Sequence, residues 1–259
     1  MALQKEHSDS TKSSKQDAVC VAMLHGGRSG STVLGDLLNQ HDSIFWDSEI
    51  YQNARMRPLP NTIIKQLKRF PRALISARRF RTQRPIYGFE TKFQHLYAVG
   101  MDLSSYVQAL ETINFSHFVI LERKNYLRRI TSHLVAYNNK TWHQKKKGKV
   151  TQIHVNLERL KIGWRQVSLL EHLNIIEQEI EDALKILSNR NVLHLTYEDD
   201  ISGNPQIAFN KMCDFIGLEK PEVNVSYRKT NPYHLSTIIT NFDEVKEALE
   251  PTKFAWMLD

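Results

Sequence analysis

Short apolar runs alternate along the chain with stretches in which apolar residues recur at helical spacing. Val19–Leu24 and His117–Leu121 are short, apolar and partly β-branched, which predicts buried strands. Val33–Leu38 follows a glycine-rich turn and repeats apolar residues as a helix does. Further strands are predicted at Ile86–Phe93 and Val192–Leu195, and helices at Asn61–Phe80, Leu103–Ile113, Tyr126–Tyr137, Trp164–Leu187 and Pro205–Ile216. This alternation predicts a three-layer α/β fold, P-loop-like, with helices flanking a mostly parallel central sheet.

The start of the chain differs in composition from the rest. Residues 1–17 are rich in Ser, Lys, Gln and Asp and lack the apolar core of a signal peptide, so we expect a disordered tail. Residues 18–259 contain no repeat and no linker-like stretch, which indicates a single domain. No apolar run approaches the roughly 20 residues that span a bilayer, so we expect a cytoplasmic protein without a transmembrane segment. Cys20 and Cys213 fall in apolar patterns, which favours buried thiols over a disulfide.

The chain is basic, with 35 Lys and Arg against 28 Asp and Glu and a formal net charge of +7. The excess is concentrated in Lys65–Arg84 and Lys145–Lys149. A basic surface favours anionic ligands or simply aids solubility. One hypothesis is therefore a non-catalytic binder of anionic polymer that uses these two segments. It leaves the glycine-rich turn unexplained, and we expect no nucleic-acid partner.

The glycine-rich turn His25–Thr32 reads H-G-G-R-S-G-S-T, between a predicted strand and a predicted helix. Backbone N–H groups at such a turn, together with the helix dipole, favour a bound phosphate. The hydroxyls of Ser31 and Thr32 add further donors. A kinase loop would carry lysine where Ser31 stands, whereas the cation here is Arg28. With no acidic strand end suited to magnesium, a P-loop small-molecule kinase is the alternative rather than the preferred enzyme.

The stretch Arg28–Leu34 resembles the R-S-G-[ST]-[ST]-x-L loop of sulfotransferases, in particular the bacterial and carbohydrate members of the nodulation and Stf-zero type. In that family the loop holds the 5′-phosphosulfate of the donor PAPS (3′-phosphoadenosine 5′-phosphosulfate). The resemblance implies that Arg28 contacts the oxygens of the leaving group and helps catalysis. The loop residues implied to bind the donor are Arg28, Ser29, Gly30, Ser31 and Thr32.

The same resemblance implies the reaction. A sulfuryl group would pass from PAPS to an acceptor hydroxyl by in-line displacement, and PAP (3′,5′-ADP) would be the product.

 The family's chemistry needs no metal ion. The acceptor is expected to be a carbohydrate or glycolipid hydroxyl, and the segments Asn53–Arg84 and Lys140–Arg165 are expected to face it.

The family's second donor element is a strand that ends in arginine, followed eight residues later by a serine, and the two bind the 3′-phosphate. Two registers are open in this chain, since Arg123 stands eight residues before Thr131 and Lys124 eight residues before Ser132. The surrounding pattern favours the second register, with Lys124 at the arginine position. In either register a cation and a hydroxyl meet at a strand end, which suits a phosphate.

Two later stretches are similar to further family motifs. Tyr197 lies in T-Y-E-D-D, which resembles the Y-E-D stretch whose tyrosine lies near the adenine. Arg228 and Lys229 resemble the Arg-Lys-Gly loop that closes on the 3′-phosphate, although Thr230 replaces the glycine. The resemblance therefore adds Tyr197, Arg228 and Lys229 to the residues expected to bind the donor.

A general base must accept the proton of the acceptor hydroxyl. Carbohydrate sulfotransferases often carry a glutamate about twenty residues past the loop, which makes Glu49 the first choice for the base and for contact with the acceptor. Asp47 and His25 remain alternatives, the latter because histidine titrates near neutrality. Lys92 falls where many members carry a lysine after a glycine, and it is expected to hold the sulfate or the acceptor.

Overall fold

The computed structural model describes residues 19–51, 70–80, 82–140, 150–227 and 232–259. No helix in these ranges combines the length and the apolar character needed to cross a membrane. Some sequence predictions lie outside the described residues, namely the tail of residues 1–17, the basic run Lys145–Lys149, the pair Arg228 and Lys229, and the first part of the helix predicted at Asn61–Phe80.

A parallel sheet forms the centre of the described part of the chain. The strands, numbered in chain order, are β1 (Val19–His25), β2 (Ile44–Glu49), β3 (Ile86–Lys92), β4 (Phe115–Glu122), β5 (Leu160–Ile162), β6 (Arg165–Val167) and β7 (Asn191–Thr196). Five of them form the sheet in the order β2-β3-β1-β4-β7, and every neighbouring pair is parallel. The other two, β5 and β6, pair with each other as an antiparallel hairpin.

Helices follow most of the strands and cover the sheet. In the described residues they are α1 (Ser31–Asn39), α2 (Phe70–Arg79), α3 (Phe93–Val99), α4 (Leu103–Glu111), α5 (Tyr126–Asn138), α6 (Leu169–Leu187), α7 (Gln206–Ile216), α8 (Leu235–Ile238) and α9 (Phe242–Leu249). A π-helical turn at Tyr197–Ile201 follows β7, and a short 3-10 turn covers Ala255–Leu258.

Successive side chains of β1 enter two different cores because neighbouring residues of a strand point to opposite faces. Cys20, Ala22 and Leu24 pack in the core that α2, α4 and α6 cover. Val21 and Met23 pack in the core that α1 and α7 cover. A strand buried on both faces must be apolar throughout, which explains the continuous run in the sequence. The predicted α/β fold with a parallel central sheet between helices is confirmed.

Both cysteines are buried and free of disulfide bonds, Cys20 in β1 and Cys213 in α7. Burial raises the pKa of each thiol to about 11. The prediction of buried thiols is therefore confirmed, and neither thiol has the low pKa of a reactive cysteine.

The helix predicted at Trp164–Leu187 was wrong at its start. Gly163 has φ 65°, which turns the chain between β5 and β6, and Arg165–Val167 is a strand. The helix begins at Leu169, because the side chain of Ser168 accepts a hydrogen bond from the Glu171 N–H and caps it. The apolar periodicity of α6 is real, but it does not extend back across the hairpin.

Parallel strands bring their carboxyl ends to one edge of the sheet, and this edge carries the residues of interest. His25 ends β1 and is paired in register with Lys92 at the end of β3. Glu49 ends β2 on the far side of β3. In open α/β sheets, ligands bind outside this edge.

Candidate functional site

A cavity of about 1130 Å³ opens at the carboxyl edge of the sheet. Its walls come from segments that are far apart in the sequence, and they contain most of the predicted site residues that the structure describes. Those in the wall are Arg28, Gly30, Ser31, Thr32, Glu49, Lys92, Arg123, Ser132 and Tyr197. Ser29 and Lys124 are described but do not line this cavity.

The loop after β1 is held in an unusual backbone conformation. Gly27, Arg28 and Gly30 all have positive φ, at 80°, 56° and 91°. Turns that include positive φ values can direct successive N–H groups toward one side, an arrangement that favours a bound anion. The Gly27 N–H donates to Nδ1 of His25 at 3.1 Å, which fixes the first turn of the loop. Helix α1 then starts at Ser31 without a side-chain cap, so its dipole faces the loop.

Gly30 is required by its conformation and by its neighbours. A Cβ atom at this position would come within 3.0 Å of the side chains of Tyr197 and Ile201. Its φ of 91° is also one that L side chains rarely adopt. The loop and the turn after β7 are therefore packed against each other through a position that only glycine fits.

Four residues predicted to bind the donor meet at the loop. Nε of Arg28 donates a hydrogen bond to Oγ of Ser132 at 3.0 Å. Nη1 of Arg123 donates to the backbone carbonyl of Arg28 at 3.2 Å, and its guanidinium lies 4.5 Å from the centre of the Tyr197 ring. Burial, followed by the charge of Arg123, lowers the pKa of Arg28 to about 10. Two guanidinium groups this close together create a strongly positive position that favours an anion.

Arg123 has spare capacity for a ligand. Its Nε is buried and has no hydrogen-bond partner among the described residues. Burial is also the main cause that lowers the pKa of Arg123. A buried donor without a partner costs free energy, which a bound acceptor oxygen would recover.

The structure combines one residue from each of the two predicted registers. Arg123 from the first and Ser132 from the second line the cavity. Thr131 instead donates to the Leu127 carbonyl within α5 at 2.8 Å. Lys124 is exposed and forms an ion pair with Asp199. Adjacent residues after a strand point in different directions, so only one of the two cations reaches the cavity.

Glu49 and Lys92 form an ion pair in the cavity wall. Oε1 of Glu49 lies 2.6 Å from Nζ of Lys92, and both side chains are less than one-fifth exposed. Oε2 of Glu49 is buried and accepts no hydrogen bond from the described residues. Nε2 of His95 lies 3.8 Å from that oxygen. The carboxylate is thus oriented by Lys92 through one oxygen and keeps the other available for a proton.

Asp47 is engaged in a structural network away from the cavity. Both of its carboxylate oxygens accept hydrogen bonds from Arg78, and Oδ2 also accepts one from the Tyr87 hydroxyl at 3.0 Å. Its side chain is buried and does not line the cavity. These contacts tie β2 to β3 and α2, which favours Glu49 over Asp47 as the base.

His25 lies behind the loop rather than in the cavity wall. Its Nδ1 accepts from Gly27, so Nε2 carries the proton, and Nε2 lies 3.5 Å from Oε2 of Glu90. Complete burial, together with the charges of Lys92, His95 and Arg129, holds the pKa of His25 well below its usual value. His25 therefore stays neutral and supports the loop, without direct access to a ligand.

Sequence reasoning missed Glu90, which is buried between His25 and Glu49. Burial raises the pKa of Glu90 to about 7, against hydrogen bonds from Trp46 and Ser31 that favour the charged form. Nε1 of Trp46 donates to Oε1 of Glu90 at 3.1 Å. The signal in the sequence was a glutamate directly after the apolar residues of a predicted buried strand. A carboxylate buried there needs a hydrogen-bond or charge partner.

His25, Glu49 and Glu90 offer ligand atoms within 4.8 Å of one another, a donor set that a divalent cation accepts. Two cationic groups, Lys92 and Arg129, lie near this set. Lys92 is already paired with Glu49, and both groups lower the pKa of His25. The positive charges of these groups would repel a bound cation. The three residues therefore suit a network that shares a proton better than a metal site.

Arg129 is a second residue that sequence reasoning missed. Its Nη2 donates to the Gly26 carbonyl at 2.7 Å. A Cβ atom at Gly26 would overlap the Arg129 guanidinium at 2.2 Å, so glycine is needed for this approach. Arg129 lies three residues before Ser132, which puts both on one face of α5 toward the loop.

A scan of protein-family models found no family that matches the chain, and a search of curated proteins found no match. A function is therefore inferred from the site itself. Its main features are the glycine-rich loop, the two arginines beside Ser132, and the Glu49–Lys92 pair, all in one cavity.

Proposed function

We propose that this chain is a PAPS-dependent sulfotransferase, which moves a sulfuryl group to an acceptor hydroxyl, and that the cavity is its active site. One observation carries the proposal. Two elements that resemble separate donor-binding motifs, the loop with Arg28 and the strand end with Arg123 and Ser132, are in direct hydrogen-bond contact. The positive position they form suits a ligand with two separate phosphate groups.

In the proposed reaction the acceptor oxygen attacks sulfur in line, an O–S bond forms, and the S–O bond to the 5′-phosphate breaks. Arg28 and the N–H groups of the loop stabilise the charge that develops on the departing phosphate. Oε2 of Glu49 takes the proton of the acceptor hydroxyl. Lys92 holds Oε1 of Glu49 at 2.6 Å and thereby aims the free oxygen.

The second anion position distinguishes PAPS from other nucleotides. Arg123 and Ser132 would bind the 3′-phosphate, and the Tyr197 ring beneath Arg123 offers a surface for the adenine. A kinase would need a lysine in the loop at Ser31 and a magnesium site. The hydroxyl of Ser31 instead hydrogen-bonds Glu90, which favours sulfuryl over phosphoryl transfer.

Calorimetric titration of PAP, 5′-AMP and ATP–Mg²⁺ into the full chain tests the proposal. We expect micromolar binding of PAP and much weaker binding of 5′-AMP, because only PAP carries the 3′-phosphate. Arg123→Ala should weaken PAP binding about tenfold or more, since it removes a charged hydrogen-bond donor.

Lys124→Ala is the matched control for this titration. It removes the neighbouring cation, which is exposed and paired with Asp199 outside the cavity, so PAP affinity should not change. Folded protein that binds ATP–Mg²⁺ tightly and PAP not at all would overturn the proposal in favour of a kinase. Binding of heparin alone would favour a non-catalytic binder of anionic polymer.

A further inference from the structure

Two exposed aromatic rings and an arginine lie together in the wall of the same cavity. The rings of Tyr97 and Trp164 are 5.5 Å apart between centroids and inclined at 65°. The guanidinium of Arg165 lies 5.1 Å from the centre of the Trp164 ring and 5.5 Å from that of Tyr97. We call these three side chains the aromatic platform. All three line the cavity that contains Glu49 and Lys92.

The platform is anchored although its rings are open to solvent. Trp164 is 61% exposed and Tyr97 51% exposed. Trp164 follows Gly163 at the turn of the β5–β6 hairpin, and Arg165 is held by an ion pair with Glu179 on α6 at 3.3 Å. Large aromatic surface left in water at a fixed position costs free energy that a bound ligand recovers.

The platform lies close to the proposed reaction centre. Tyr97 is five residues after Lys92 on α3, which begins at the residue after Lys92. A helix rises about 1.5 Å per residue, so the two backbone positions are about 7.5 Å apart along its axis. Tyr97 is therefore close in the fold to Lys92, the residue that is paired with Glu49.

We propose that the platform is an acceptor subsite that binds a pyranose ring of an oligosaccharide, next to the sugar that receives the sulfuryl group; this rests on the proposed function. A pyranose has an apolar C–H face that stacks on one open ring, and a rim of hydroxyls that Arg165 and Lys161 can bind. A flat phenol or steroid is bound instead in an enclosed apolar slot. The inclined rings and the neighbouring cations do not form such a slot.

The test is a calorimetric titration of PAP-loaded protein with gluco-, galacto- and N-acetylglucosamine oligosaccharides of two to four residues, and with 2-naphthol as a flat aromatic probe. We expect saturable binding of at least one oligosaccharide. Trp164→Ala should weaken that binding about tenfold or more, as loss of a stacking surface does. PAP affinity should stay at the wild-type value, because Trp164 is outside the proposed donor site.

Trp256→Ala is the matched control, since Trp256 is 52% exposed but does not line the cavity. Oligosaccharide affinity should be unchanged in this variant. The subsite proposal is overturned if no oligosaccharide binds, if Trp164→Ala binds as well as wild type, or if only 2-naphthol depends on Trp164. Loss of PAP binding in the wild-type protein would instead sink the proposed function, so the two failures are distinguishable.

Discussion

At the scale of single residues, the two carboxylates at the end of β2 have different surroundings. Glu49 lines the cavity with one oxygen free of hydrogen bonds from the described residues, while both oxygens of Asp47 are bound by Arg78. We expect Glu49→Gln to lower the rate of sulfuryl transfer about 100-fold or more without weakening PAP binding, because it removes the base. The measurement is transfer of radiolabelled sulfuryl from PAPS to the oligosaccharide mixture.

Asp47→Asn provides the comparison for this prediction. It should lower the free energy of unfolding by about 1–3 kcal/mol, because it weakens a charged hydrogen-bond network, and leave the transfer rate within about twofold. Urea unfolding measures the first quantity. A large rate loss in Asp47→Asn with none in Glu49→Gln would reverse the two roles.

Glu90 makes stability depend on pH with a definite sign. Its pKa is about 7 in the folded protein against 4.5 for an ordinary glutamate, so the folded state holds the proton more tightly. The stabilisation that comes from protonated Glu90 is therefore fully present below about pH 4.5. As the pH rises through 7 this stabilisation is lost, which lowers the free energy of unfolding by up to about 3 kcal/mol. His25 has the opposite effect on the pH dependence of stability. Its pKa in the folded protein is below the ordinary value of 6.5, so the folded state gains stability relative to the unfolded state as the pH rises toward 6.5.

Glu90→Gln isolates the first of these two effects while keeping an acceptor for Trp46. Relative to wild type, the variant should gain free energy of unfolding between pH 5 and 8 in urea titrations. Glu181→Gln, an exposed glutamate on α6, should show no such change. A difference between wild type and Glu90→Gln that is constant with pH would contradict the assignment.

At the scale of elements, the loop after β1 depends on a glycine that serves both conformation and packing. Gly30→Ala should lower the free energy of unfolding by about 1–2 kcal/mol or more and weaken PAP binding, because a Cβ strains the backbone and meets Tyr197 and Ile201. Gly217→Ala is the control, since Gly217 also has positive φ but has open space around it. It should lose stability without losing PAP affinity; equal loss of affinity in both variants would contradict a specific role for the loop.

At the scale of the whole molecule, the donor should link segments that are distant in the sequence. PAP should slow amide hydrogen exchange in the loop at Gly26–Leu34 and in Arg123–Ser132 together, because both would contact one ligand. Peptides over Gln206–Ile216 of α7 should not change, and peptides with Arg228 and Lys229 test the predicted closing loop. Protection of only one of the two stretches would contradict a shared donor site.

The sequence by itself determined the elements whose signals are local. β1 and the Phe118–Leu121 part of β4 are apolar runs because both faces of the sheet are covered there, and the glycine-rich turn is visible because its backbone needs particular residues. The predicted order of strands and helices was enough to indicate a parallel sheet. Arg28 and Glu49, which both line the cavity, were predicted as site residues from the sequence with help from a resemblance.

Only the tertiary structure decided which side chains meet. Arg123 rather than Lys124 reaches the cavity because packing, not sequence spacing, sets the direction of each side chain after β4. The burial of Glu90, and the contact between Tyr97 and Trp164, join segments that no local pattern relates. The physical reason is that periodicity records only which face of an element meets water, whereas distances between elements arise from the packing of the whole chain.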